Sequence, residues 1–119
     1  MPNILLVDDE PRIVSFLEKG LRKRRCSSEI ASDGSQALEM AFSDRFDLML
    51  LDLGLPGMDG LDVLAALRAE NNSLPVMILT ARGESACQQA MELGANDYMQ
   101  KPFSFRELYK RLQALLPES

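Results

Sequence analysis

The stretch Leu48-Met49-Leu50-Leu51-Asp52-Leu53-Gly54-Leu55-Pro56-Gly57-Met58-Asp59-Gly60 decides how this chain folds. Its first four residues form an unbroken apolar run of strand length that stops at a carboxylate. Leu53 to Gly60 then carries Gly54, Pro56, Gly57 and Gly60, a density of turn residues that marks a loop. A strand that is apolar on both faces must be covered on both sides. That is the environment of a parallel sheet between layers of helices.

The same pattern recurs on either side of it. Asn3 to Val7 reads as a strand ending in Asp8-Asp9, and Val76 to Leu79 as one ending in Thr80. Ser28 to Ala31 and Asp97 to Gln100 read as shorter strands, the second leading into Lys101-Pro102. Helices are expected from Glu10 to about Arg24, with Ile13, Phe16, Leu17 and Leu21 on the apolar face, and from Ser35 to Ser43 after the turn Ser32-Asp33-Gly34. Two more are expected over Leu61 to Glu70, with Leu61, Leu64 and Leu67 inward, and over Glu84 to Leu93, with Gly94 as the C′ residue. The last runs from Phe105 to Leu116, with Phe105, Leu108, Leu112 and Leu115 on one side. Five strand–helix pairs imply an α/β fold with a doubly wound parallel sheet.

Composition narrows the function. At 119 residues the chain fits one domain with room for a core, and 46% apolar with 26% charged residues is ordinary for a globular protein. A net charge of -5 argues against direct nucleic-acid contact, which needs a basic surface. The run Arg22-Lys23-Arg24-Arg25 reads as a basic last turn that complements the helix dipole, far from the acids. Two cysteines, Cys26 and Cys87, make no disulfide framework; they read as inert or exposed thiols in a reduced, cytoplasmic setting. No apolar run approaches the ~20 residues of a membrane helix, and the first residues lack the regions of a signal peptide. Histidine is absent, which removes the commonest general base and any imidazole metal ligand. The seven methionines read as core filler, Asp33 and Asp59 as turn and cap residues, and Pro117-Glu118-Ser119 as compatible with the start of a linker.

In a parallel α/β sheet, ligands bind outside the carboxyl ends of the strands. Asp8, Asp9, Asp52, Thr80 and Lys101 all follow directly on strands and should converge there. Three crowded carboxylates raise one another's pKa, and a hard divalent cation such as Mg²⁺ removes that penalty. Lys101 offers a mobile point charge and Thr80 a hydroxyl, which together suit a phosphoryl group. A carboxylate can itself accept that group as an acyl phosphate.

Val7-Asp8-Asp9, Leu51-Asp52-Leu53, Pro56-Gly57-Met58-Asp59-Gly60, Leu79-Thr80-Ala81 and Lys101-Pro102-Phe103 resemble the motifs of CheY-like receiver domains of response regulators. The likeness runs from Asn3 to about Leu116. It implies a flavodoxin-like (βα)5 fold of strand order 2-1-3-4-5, with residues 1–119 as one receiver domain and no output domain within this chain. It implies that Asp52 takes a phosphoryl group from a phosphohistidine of a sensor histidine kinase. Asp9 would bind Mg²⁺ directly, Asp8 mainly through water, and the Gly54 carbonyl would add a ligand. Thr80, Lys101 and the Ala81 amide would hold the phosphoryl oxygens, with Lys101-Pro102 a cis peptide. Thr80 and Tyr98 would be the switch pair. Leu53 to Leu61, Leu79 to Arg82 and Lys101 to Leu108 look most like the OmpR class of winged-helix transcription regulators. That likeness implies a homodimer on activation through the fourth helix, fifth strand and fifth helix, using Asp97 and Arg111. The basic partner of Glu107 is replaced at Cys87, and a second ion pair is lost at Gln89 and Asn96, so the dimer is expected to be weak.

Three other functions fit the same residues less well. A haloacid dehalogenase-type aspartyl-phosphate phosphatase wants a second Asp two residues after the nucleophile, where this chain has Gly54. A flavin carrier needs a phosphate loop after the first strand, where Asp8-Asp9-Glu10 would repel it. A pseudo-receiver fits poorly with an intact acidic set. The chain reads as a signalling domain rather than an enzyme acting on other substrates.

Overall fold

The computed structural model describes residues 1–117; Glu118 and Ser119, which complete the linker-like end, lie outside them. Five strands alternate with five helices: β1 Asn3–Val7, α1 Pro11–Lys23, β2 Ser27–Ala31, α2 Gly34–Ala41, β3 Leu48–Asp52, α3 Gly60–Ala69, β4 Val76–Thr80, α4 Glu84–Glu92, β5 Asp97–Gln100 and α5 Phe105–Gln113. All pairings are parallel and the order is β2-β1-β3-β4-β5. The chain leaves β1 for β2 on one side and returns to β3 on the other, so the topological switch point lies between β1 and β3.

The period of two along each strand divides the core into two layers. Ile4, Leu6, Leu48, Leu50, Met77 and Leu79 face α1 and α5, where Leu17, Leu21, Leu108 and Leu112 cover them. Leu5, Val7, Met49, Leu51, Val76 and Ile78 face Ala37, Val63, Leu64, Leu67 and Ala90 of α2, α3 and α4. This is why the three inner strands are apolar except at their ends, Asn3, Asp52 and Thr80: β1, β3 and β4 have no solvent face. A fully buried Leu or Ile contributes roughly 1.5–3 kcal/mol through removal from water. The edge strand β2 keeps Glu29 and Ser28 among its residues, as a strand with one neighbour can.

Local chemistry sets the helix ends. Pro11 opens α1, where a missing N–H costs nothing. Asp33 accepts the Gln36 amide at 2.8 Å, Asp59 the Leu61 amide at 2.9 Å, and Ser104 the Glu107 amide at 3.1 Å, each as an N-cap. Gly94 follows α4 at φ +107°, the left-handed C′ position expected of it. The Lys101–Pro102 peptide is cis.

The structure corrects four expectations. α5 stops at Gln113, not Leu116; Leu115 and Leu116 still reach the α1/α5 layer from a turn. Phe16 is 45% exposed rather than interior, because α1's apolar stripe ends at a rim, where Phe16 meets Phe105 edge-on at 6.1 Å. Both thiols are buried, which removes the exposed reading and leaves the inert one, since burial raises both pKa values. Cys87, fully enclosed, therefore does not occupy the surface of α4 facing Glu107. No helix among the described residues is long and apolar enough to cross a membrane.

At the end of the sheet away from the acids, Arg68 ties three segments together. Its guanidinium donates to Gly94 O at 3.0 Å, Asn72 O at 2.8 Å and Asn96 Oδ1 at 3.1 Å. No carboxylate is among these partners, and burial lowers the arginine pKa. Arg68→Ala is expected to cost ~2 kcal/mol, since hydrogen bonds to a charged donor are worth about 1.5–3 kcal/mol each when well enclosed and less when part-exposed. Urea denaturation checks this; a change below about 0.5 kcal/mol would mean that the three bonds are replaced by water at no cost.

Candidate functional site

Parallel register brings the strand ends level. Val7 lies opposite Leu51, Asp52 opposite Leu79, and Thr80 opposite Gln100. The residues that follow β1 and the residue that ends β3 therefore meet at the switch point. One carboxylate oxygen from each of Asp8, Asp9 and Asp52 lies within 4.8 Å of the other two. Asp8 and Asp52 are buried, whereas Asp9 is exposed. An all-oxygen, triply anionic cluster with one open side fits a hard cation such as Mg²⁺ and offers nothing to a soft metal.

Lys101 reaches back across the sheet to this cluster. Its Nζ stands 3.1 Å from Asp8 Oδ2, 3.4 Å from Glu10 Oε1 and 3.6 Å from Asp52 Oδ1. Burial opposes the ammonium charge, but the hydrogen bond to Asp8 and the charges of Asp8, Asp52 and Glu10 outweigh it and raise the pKa. For Asp52, burial and then the charge of Asp8 push the carboxyl above its ordinary value; Lys101 and the Gly54 amide pull the other way. One ammonium does not fully offset three carboxylates, which is the imbalance a divalent cation would correct.

Thr80 is completely enclosed, and its Oγ accepts the Arg82 amide at 3.0 Å. Ala81 beside it is exposed at the site's rim. Gly54 is also exposed, and an added Cβ there would meet only Asp52 Oδ2, at 3.9 Å. Asp8, Asp9, Asp52, Gly54, Thr80, Ala81 and Lys101 thus all lie at one edge of the sheet. Tyr98, Asp97 and Arg111 lie apart from it, on the face formed by α4, β5 and α5. The Tyr98 hydroxyl donates to Glu84 Oε1 at 2.7 Å. That bond raises the phenol pKa and lowers that of the carboxylate. Arg111 sits 3.4 Å from Asp97 Oδ1 and donates to Tyr98 O at 2.8 Å.

Sequence reasoning missed three contacts. Glu10 joins Asp8 on Lys101, Glu84 holds Tyr98, and Arg82 pairs with Asp59 at 2.7 Å while donating to Leu53 O at 3.2 Å. Asp59 was read as a cap alone; the cap uses one lone pair and leaves its carboxylate free for a fork. Arg82 stands out in the sequence by its place two residues after Thr80, which puts a long cationic side chain at the acidic edge but does not reveal its partner.

The family model for the response regulator receiver domain matches residues 4–113. The transcriptional regulatory protein PrrA of Mycobacterium bovis is 42% identical over 116 residues, which are 97% of this chain and 50% of that protein. The chain thus spans about half the length of the curated relatives it matches. The receiver domain of Francisella response regulator 1452 superposes with a TM-score of 0.91 at 31% identity, covering 97% of this chain and 96% of the other. The receiver domain of the sensor histidine kinase PA1611 from Pseudomonas aeruginosa PAO1, solved with a magnesium ion coordinated in its active-site cleft, gives a TM-score of 0.87 at 34% identity, with 96% of both chains covered. Strand order, acidic edge and sequence match agree, and the chain belongs to the response regulator receiver domain family of two-component systems.

Proposed function

We propose that this domain accepts a phosphoryl group on Asp52 from a phosphohistidine of a sensor histidine kinase, in a Mg²⁺-dependent step in the cytoplasm, and thereby controls an output, transcription being the output of its curated relatives. The observation that carries the reading is the meeting of Asp8, Asp9 and Asp52 beside Lys101 and the enclosed Thr80. Asp8, Asp9, Asp52 and the Gly54 carbonyl would hold the metal. When bound it neutralises the carboxylates and stabilises charge on the phosphoryl oxygens. An Asp52 oxygen attacks phosphorus as the P–N bond to the histidine breaks, and the imidazole leaves. Lys101 and the Ala81 amide then receive phosphoryl oxygens, and Lys101 exchanges part of its pairing with Asp8 for the new dianion. The Thr80 hydroxyl turns toward the same oxygens and gives up the Arg82 amide. The space it vacates lets Tyr98 turn inward, breaking its bond to Glu84. The domain catalyses its own phosphoryl transfer and dephosphorylation and acts on no other substrate.

Incubation with acetyl phosphate and Mg²⁺ is expected to add one phosphoryl mass to the intact chain, and Asp52→Asn or excess chelator to abolish it. An adduct that persists in Asp52→Asn at the wild-type level would place the acceptor elsewhere.

The raised Asp52 pKa has a stability consequence in metal-free protein. Ionisation of a group whose pKa is raised by folding opposes the folded state. The penalty is absent below the ordinary carboxylate range and complete once pH has risen through the raised value. Asp52→Asn removes it, so the variant is expected to be more stable than wild type at neutral pH, by on the order of 1 kcal/mol, with the gap closing toward about pH 4. Thermal denaturation in chelator across that range gives the comparison; a gap that widens on acidification contradicts it.

Activation is expected to produce a weak homodimer through α4, β5 and α5. Asp97 and Arg111 already pair within the protomer, so an intersubunit pair would replace an existing one and add little. The domain should sediment as a monomer alone and as a weak dimer with beryllofluoride, further weakened by Arg111→Ala. A tight activated dimer indifferent to that substitution would require another surface.

A further inference from the structure

Arg82 does not touch the acidic cluster, yet it is fastened to the loop that carries part of it. From the turn after β4 its side chain crosses to the loop between β3 and α3. There Nη2 lies 2.7 Å from Asp59 Oδ2 and 3.2 Å from Leu53 O, and Nη1 lies 3.3 Å from Asp59 Oδ1. Leu53 O also accepts the Gly60 amide at 3.0 Å, and Asp59 Oδ1 the Leu61 amide at 2.9 Å. One guanidinium therefore joins the first residue of the loop to its last turn. The closure is tight: a Cβ on Gly60 would stand 2.6 Å from Asp52 O and 2.7 Å from Leu53 Cα.

The pinned group is a single peptide plane. Leu53 C=O and Gly54 N–H belong to the same planar unit. Its oxygen is held by Arg82 and Gly60. Gly54 has no side chain to anchor it and open space around its Cα. Pinning Leu53 O thus fixes Gly54 N and Cα, the point from which the Gly54 carbonyl leaves, and the closure at Gly60 limits the loop conformations open to Gly54 φ and ψ. The geometry points to a strap: the Arg82–Asp59 fork presets the Leu53–Gly54 peptide, which makes Arg82 a positioning residue for the Mg²⁺ site although it contacts none of the three carboxylates. This rests on the reading of Asp8, Asp9, Asp52 and the Gly54 carbonyl as that site.

Charge and geometry predict opposite signs, which makes the strap testable. By Coulomb's law alone, removing the Arg82 cation from the neighbourhood of three carboxylates raises their affinity for a divalent ion. If the strap operates, Arg82→Ala lowers it, because the freed loop must be ordered when the ion binds. The expected loss is about two- to fivefold in Kd, the scale of a part-exposed ion pair. Arg82→Lys keeps the charge but not the bidentate fork, so Coulomb's law predicts no change and the strap predicts a similar loss. Asp59→Asn keeps an equally good N-cap and loses the fork, and should also weaken binding.

The measurement is a Mg²⁺ titration of the intact chain followed by amide NMR shifts at Gly54, Gly60 and Leu61, with metal-free thermal denaturation of each variant alongside. Weaker binding by Arg82→Ala and Arg82→Lys, in variants that are folded at the titration temperature, supports the strap. Affinity equal to or above wild type in Arg82→Ala, or wild-type affinity in Arg82→Lys, overturns it and leaves the metal site standing. Absence of saturable Mg²⁺ binding by the wild-type chain overturns both the strap and the reading on which it rests.

Discussion

Repulsion among Asp8, Asp9 and Asp52 is the constraint around which the rest of this structure is arranged. The sheet cannot relieve it, because β1 and β3 are neighbours in register and their carboxyl ends are fixed side by side. Lys101 offsets part of it from the far edge, supported by Glu10, while burial first and then the charge of Asp8 still hold the Asp52 pKa above its ordinary value. A domain that holds such a charge imbalance in a buried setting keeps a free-energy reserve for ligands that remove it. The apolar layers on both faces supply the stability that makes this tolerable.

Two linkages radiate from the edge, and both use a residue that serves two purposes. Arg82 lends its amide to Thr80 and its guanidinium to Asp59 and Leu53, so the turn after β4 and the loop after β3 are tied together. Glu84, in the first turn of α4, holds Tyr98 together with Gln88 and Gln100 on one carboxylate. Arg111 caps the same region by bonding the Tyr98 carbonyl and pairing with Asp97. In the proposed mechanism, events at Asp52 would reach the α4–β5–α5 face through contacts that are individually weak and exposed. Such contacts can be exchanged without disturbing the core.

Legibility in the sequence followed the strength of each physical signal. Leu48 to Leu51 and Val76 to Leu79 were readable because complete burial leaves no polar position to confuse the pattern. Asp33, Asp59 and Gly94 were readable because helix ends demand particular local chemistry. The end of α5 was not: Leu115 and Leu116 are apolar because they pack, whether or not the backbone stays helical. Phe16 misled because periodicity gives a direction around a helix but not the distance to a neighbouring element, and Cys87 because a matched family position does not say which way its side chain faces.

The chain by itself determined the α/β class, the number and order of the elements, and the five residues that stand at strand ends, since all of these follow from short-range pattern and from the rule that ligands gather where parallel strands stop. Only the tertiary structure decided which of those side chains touch. That Lys101 prefers Asp8 over Asp52, that Arg82 reaches Asp59 across the loop, that Tyr98 is held by Glu84, and that Cys87 faces inward all depend on positions set by other elements. A hydrogen bond is decided within a few tenths of an ångström, and no pattern along one segment fixes its placement against another that closely.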